Sequence, residues 1–180
     1  MVHPTKPDFE KAALSELPLL YRVARRYAMN AAEAEDLVGQ TLLSAARAWD
    51  NFDGRHTRSW LITILKNEHL KTIRQKSSRP KTIGFEESGE VSEGDLGSEI
   101  DQRAFVEDIL RELDSLPEDF RMAVALCDVE QMSYEDAAEA LGIPIGTVRS
   151  RLFRGRRALR EKLKAWPSDT KALETAEVRS

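Results

Sequence analysis

Two sets of side chains have types and spacing that could do chemistry, and in both the chemistry is that of holding nucleic acid. The first is the stretch from Arg149 to Lys164, where eight Lys or Arg stand against a single acid, Glu161, although the whole chain carries a formal charge of −4. Cations at that density neutralise phosphates. The second is Trp60, Ile64, Asn67, Lys71 and Arg74, spaced at i, i+4, i+7, i+11 and i+14. At 100° per residue these positions share one helical face to within about 40° of its centre. That face begins aromatic and ends polar and basic. A single strand needs aromatic groups to stack on its bases and cations to follow its backbone. By pattern alone, the same face reads equally well as a core tryptophan followed by ordinary solvated charges.

The first set is positioned by a recognisable device. Ser133 opens a short helix with Asp136 three residues on, an Asp version of the capping box. Ala137, Ala138 and Leu141 follow, Gly142 supplies a turn, and Pro144 suits the first turn of a second helix. Helix, glycine turn and helix make a helix-turn-helix. In the second helix Val148, Leu152, Leu159 and Leu163 mark a buried stripe, while Thr147, Ser150, Arg151, Arg154 and Arg157 fall on other sides. The N-terminal part of such a helix enters the major groove. Thr147, Ser150, Arg151 and Arg154 are therefore expected at base edges, and Arg156, Arg157 and Arg160 at phosphates.

The second set lies on a helix expected from about Arg58 to Gln75, buried through Leu61, Ile62, Leu65 and Ile73. Before it, residues 8–29 read as helix, with Pro18 expected to bend or divide the segment. Asn30 should cap the next helix with Glu33 in the reciprocal place, and the apolar positions Ala34, Leu37, Val38, Thr41, Leu42 and Ala45 lead to Trp49. Asn51 to Gly54 is a turn. Residues 1–76 hold 12 Lys or Arg against 9 acids, whereas residues 77–101 hold 2 against 7. That acidic stretch, rich in serine and glycine, reads as a flexible linker. It could span roughly 80 Å fully extended, or about 25–30 Å as a coil, so two modules could sit well apart on one target. After it, Phe105, Ile109 and Leu113 mark a helix, and Ser115 with Glu118 has capping-box spacing ahead of Phe120, Val124 and Cys127.

No strand pattern appears, so the expected fold is all-α, two small helical domains over 8–76 and 102–166, with a linker over 77–101 and a frayed tail over 167–180. Hydrophobic content of 41% permits real cores at this length. The single cysteine excludes an internal disulfide framework, and its apolar neighbours make it a small buried hydrophobe. The N-terminus lacks a signal-peptide core and no run reaches membrane-span length, so a cytoplasmic protein is expected. His3, His56 and His69 are scattered, without zinc-ligand spacing, nucleophile elbow or phosphate loop. No catalytic residue, metal or cofactor is expected.

These segments resemble, in this order, a bacterial extracytoplasmic-function (ECF) sigma factor of the sigma-70 family. The first module carries AEAEDLVGQTLLSAARAW and NFDGRHTRSWLITILKNEHLKTIRQ, and the second LDSLPEDFRMAVAL and MSYEDAAEALGIPIGTVRSRLFRGRRALREKL. The resemblance covers about residues 14–80 and 105–164. It implies a promoter-specificity subunit of RNA polymerase, not an enzyme, partnered by core polymerase (β′ clamp helices and β subunit), promoter DNA and an anti-sigma factor that could hold it at a membrane. Asp36, Leu37, Val38, Gln40 and Leu42 would bind the β′ clamp helices. Phe52, Trp60, Asn67, Lys71 and Arg74 would capture the minus-ten strand. Thr147, Arg149, Ser150, Arg151, Arg154 and Arg157 would read the minus-thirty-five duplex.

Two glycines depart from expectation. Gly39 stands where the family usually has Gln followed by an acid, and Gly155 interrupts the second basic helix. A helix-interior glycine costs about 1 kcal/mol relative to alanine. Two other readings compete with the sigma factor. One is a sigma-like decoy that sequesters an anti-sigma factor without binding DNA, and the other is a dimeric regulator using the helix-turn-helix alone.

Overall fold

The computed structural model describes residues 8–78 and 97–164. Three long helices come first: α1 (Phe9–Tyr27), α2 (Ala31–Ala48) and α3 (Thr57–Ser78). A 3₁₀ turn, Trp49–Asn51, lies between α2 and α3. Then come α4 (Gly97–Asp114), α5 (Glu118–Val124), a π-helical turn over Ala125–Val129, α6 (Tyr134–Leu141) and α7 (Ile145–Lys164). Among the described residues there is no strand, as expected.

Local chemistry sets the starts of α2 and α6 and the end of α6. Asn30 accepts the Glu33 N–H at 2.8 Å, and the Glu33 carboxylate reaches back to the Met29 N–H at 3.1 Å. Ser133 accepts the Asp136 N–H at 3.0 Å and donates its hydroxyl to the Asp136 carboxylate at 2.7 Å. Gly142 sits at φ +64°, left-handed, which lets its own N–H and that of Ile143 close the end of α6 on Glu139 and Ala138.

Four local expectations are corrected. Pro18 does not divide α1, because Ala12 and Ala13 before it and Leu19, Leu20, Val23 and Ala24 after it are all buried. Burial on both sides holds the helix through the missing hydrogen bond. Ser115 does not cap α5: its hydroxyl turns back to the Glu112 carbonyl at 2.6 Å, and Pro117 takes the cap position. Ile73 is not core but 44% exposed. Helix also occupies both ends of the segment read as linker, since α3 runs to Ser78 and α4 starts at Gly97. Lys76, 2.6 Å from Glu33 at the start of α2, ties the end of α3 down. The middle of that segment, the expected tail and the side chain of Phe105 lie outside the described residues.

The helices form two bundles, α1–α3 and α4–α7, and one continuous core runs through both. It includes Leu20, Val23, Leu61, Ile62 and Leu65 from the first and Leu113, Leu126, Ala137, Val148 and Leu152 from the second. The linker's reach would allow separation, but here the bundles are packed together, α3 against α6 and α1 against α5 and the π-helical turn. Gly155 now has a physical reason. A Cβ there would lie 2.7 Å from Val124 Cγ2 and 3.2 Å from the Phe120 carbonyl oxygen, so the missing side chain lets α7 approach α5. Gly39 meets nothing within 4 Å and is exposed.

Candidate nucleic-acid interface

The basic face of α7 follows from its other side being fixed. Val148, Leu152 and Gly155 are buried and Leu159 and Leu163 half-buried, which turns Arg149, Ser150, Arg154 and Arg157 to solvent. Thr147 is half-buried, and its carbonyl accepts the Ser150 hydroxyl at 2.9 Å. Arg151 and Arg156 are engaged by neighbouring acids. Arg151 lies 3.0 Å from the Asp119 carboxylate with its side chain 23% exposed. Arg156 grips Asp128 through two bonds of 2.9 and 2.6 Å, and these hold its guanidinium above its ordinary basicity. A phosphate would have to displace Asp128 from Arg156, but not from Arg154 or Arg157 on account of that pair. Phe153, 69% exposed beside these cations, was not singled out from sequence; its position off the leucine stripe was the available signal.

The α3 face divides in two. At its start Trp60 is half-buried, stacked on Phe52 with centroids 4.2 Å apart and rings 18° from parallel. Trp49 lies 5.8 Å from Trp60 and 5.3 Å from both Phe52 and Phe9, completing an aromatic cluster at the α2–α3 junction. Ile64 is likewise half-buried. Asn67, Lys71 and Arg74 are exposed. Lys71 meets Glu68 at 2.7 Å, and Glu68 also takes the Ser44 hydroxyl at 2.8 Å. Burial raises the Glu68 carboxyl, but these two bonds outweigh it and leave the group below its usual range. Both sequence-level alternatives therefore describe a part of this helix: tryptophan in an aromatic pack, then a polar and basic end open to solvent.

On α2, Leu37 and Val38 are buried and Leu42 half-buried, so they shape the helix rather than its surface. Asp36 and Gln40 are exposed, and Gly39 with them. Leu43, 53% exposed on the same side, completes that surface and was missed, although it stands seven residues from Asp36. Next to it is a cavity of about 400 Å³ lined by residues that include Met29, Leu37, Gln40, His69 and Ile73.

The only cluster of candidate metal-ligating side chains among the described residues is His56, Asp136 and Glu139. Asp136 already serves Ser133, His56 and Glu139 are exposed, and nothing else points to an ion there. No described helix is long and apolar enough to cross a membrane.

Comparisons with known proteins give the family. Residues 13–79 match the family model of sigma-70 region 2, and residues 107–159 that of sigma-70 region 4. The chain is 35% identical over 167 residues to the ECF RNA polymerase sigma factor SigE of Mycolicibacterium smegmatis, covering 91% of this chain and 65% of that one. It is 34% identical over 148 residues to the RNA polymerase sigma-H factor of Pseudomonas aeruginosa, covering 77% of each. Its fold resembles the sigma factor RpoE, solved in complex with the anti-sigma factor NepR from Bartonella quintana, with a TM-score of 0.69, 33% identity, and coverage of 89% of this chain and 99% of that one. Region 2 matches the first bundle and region 4 the second, in that order: the chain belongs to the sigma-70 family and is an ECF sigma factor.

Proposed function

We propose that this chain binds core RNA polymerase and directs it to promoters through two separate DNA readers. The observation that carries this reading is the pair of exposed basic faces, Asn67–Lys71–Arg74 on α3 and Arg149–Arg154–Arg157 on α7, one on each bundle. Residues 8–76 act as the polymerase-binding and minus-ten unit, 77–101 as an acidic tether, 102–166 as the minus-thirty-five unit and 167–180 as a tail. Asp36 and Gln40 contact the β′ clamp helices, with Leu37, Val38 and Leu42 setting the helix that presents them. Phe52 and Trp60 form the aromatic platform of the minus-ten site, and Asn67, Lys71 and Arg74 hold the strand. Thr147, Arg149, Ser150, Arg151, Arg154 and Arg157 meet the minus-thirty-five duplex.

The protein is an initiation factor rather than an enzyme, and it acts where polymerase and DNA are, in the cytoplasm. Like RpoE of Bartonella quintana, it is restrained by an anti-sigma factor. Retention of both cationic faces favours this reading over a decoy, whose surfaces need no cations.

The experiment mixes the full chain with bacterial core polymerase and fragmented genomic DNA of its source, then sequences the transcripts. Starts at a fixed distance from a shared two-part motif are expected. Failure to associate with polymerase would overturn the reading.

A further inference from the structure

The polar end of α3 holds a carboxylate that its packing does not require. Glu68 follows Asn67 and precedes Lys71 by three residues, and its side chain is only 12% exposed. Its Oε1 accepts the Lys71 ammonium at 2.7 Å and the Ser44 hydroxyl of α2 at 2.8 Å. A neutral amide could accept the same two bonds without taking a charge out of water. Burial opposes ionisation here, but the bonds from Lys71 and Ser44 and the charges of Lys71 and Arg47 outweigh it, so Glu68 carries its charge at neutral pH. An open i,i+3 pair contributes little. This one differs, because the acid is nearly removed from water and is anchored from a second helix.

The Lys71 side chain stays 59% exposed above that acid. An ammonium has three N–H donors, and the bond to Glu68 leaves two for a strand. Lys71 thus offers donors in a fixed place, one turn along from Asn67, with its charge balanced from beneath. A bare cation would act differently. Each phosphate neutralised on a single strand steepens the salt slope by about 0.7, which at 0.1 M salt is about fivefold in affinity for a strand of any sequence. That gain does not help to choose between strands, because specificity is a difference of affinities. Contacts to base edges make the choice.

We infer that Glu68 is a specificity-determining residue of the strand reader: anchored by Ser44, it cancels the charge of Lys71 and fixes its ammonium, so that this lysine selects a strand by hydrogen bonding instead of attracting every strand. Glu68 acts through Lys71 and is a positioning residue. The inference rests on the proposed minus-ten role of the α3 face.

The test uses holoenzyme assembled from the full chain and core polymerase, with two labelled single strands. One carries the minus-ten motif recovered from the transcript starts, and the other has the same composition in scrambled order. Affinities are measured by fluorescence anisotropy across a salt series, with circular dichroism as the check on folding. Glu68→Gln should bind the scrambled strand about fivefold more tightly at 0.1 M salt, with a slope steeper by about 0.7. Its affinity for the motif strand should not rise, so the preference should fall by about the same factor. Equal tightening on both strands, an unchanged slope, or weaker binding to both would overturn the inference. The double variant Glu68→Gln with Lys71→Met removes both charges and tests the same point without a freed lysine. It should bind the scrambled strand with the wild-type slope while losing preference for the motif. A slope shallower by about 0.7 would mean that Lys71 already counts as a full cation, and would overturn the cancellation. A wild-type holoenzyme that prefers neither strand would instead sink the minus-ten reading of α3, and the inference with it.

Discussion

Arg151 Nη2 lies 3.0 Å from the Asp119 carboxylate, so an arginine proposed to read DNA is held by an acid of the neighbouring helix. The pair keeps the guanidinium in a defined place beside the exposed basic side of α7. It also competes with any base that would use the same donors. If Arg151 makes a bidentate base contact, Arg151→Ala should weaken binding to the specific minus-thirty-five duplex by about 1–3 kcal/mol and spare random duplex, and Arg154→Ala should do the same. Asp119→Asn should shift Arg151 binding the other way. Fluorescence anisotropy on both duplexes checks this, and equal weakening on both would reassign these arginines to phosphates.

The two helix-interior glycines should respond to alanine with opposite signs. At Gly39 the added methyl meets nothing, so Gly39→Ala should stabilise the fold by about 1 kcal/mol through helix propensity. At Gly155 it would strike Val124 and the Phe120 carbonyl, and the overpacking should cost about 1–3 kcal/mol. Urea denaturation of both variants gives the comparison. Gly39→Ala, on the surface proposed to meet polymerase, should in addition leave core binding intact or improve it.

Removing the groups proposed to hold the strand should separate opening from assembly. Asn67 and Lys71 are exposed, whereas Trp60 is packed on Phe52. Asn67→Ala with Lys71→Ala should therefore keep wild-type melting and core-polymerase binding while impairing promoter opening, followed by permanganate reactivity of unpaired thymines. Trp60→Ala should impair opening too, but with a loss of stability of about 3 kcal/mol or more from the aromatic cluster. Loss of core binding in the folded double variant would overturn the minus-ten assignment.

The Ser133 cap starts the helix-turn-helix, and Ser133→Ala should cost about 1 kcal/mol. Because α6 also packs against α3, the loss should appear in the melting of the whole chain rather than of one turn.

Burial pushes the Cys127 thiol from 9.0 up to about 11, and Asp128 adds to the effect. At pH 8 its thiolate is therefore scarcer than in the unfolded chain by about a hundredfold, and iodoacetamide should react correspondingly more slowly with the folded protein. Below pH 9 folded and unfolded chains both keep the proton, and this group's contribution to stability is fully present. Between pH 9 and 11 only the unfolded chain releases it, so stability should fall as pH rises through that window. Burial of the Tyr27 hydroxyl raises it as well and acts in the same direction at higher pH. Alkylation of Cys127 at pH 8 as fast as in urea would contradict the burial.

Short-range chemistry determined what the sequence alone could show. Caps at Asn30 and Ser133, the left-handed turn at Gly142 and the stripes through Leu61–Leu65 and Val148–Leu152 depend on neighbours within a few residues, so spacing encodes them. The all-α class and the helices bearing both basic faces follow from these. Where local rules competed, tertiary packing decided. Burial on both sides carried α1 through Pro18, and Ser115 found a carbonyl behind it in place of the amide ahead. Gly155, a blemish in a helix by propensity, is a contact surface for α5. The pairings of Arg22 with Glu130, Arg26 with Asp114 and Arg151 with Asp119 join residues 32 to 108 positions apart, a separation no periodicity records. Which arginines face solvent and which are already held was therefore decided only by tertiary packing, within the second bundle for Arg151 and between the bundles for Arg22 and Arg26.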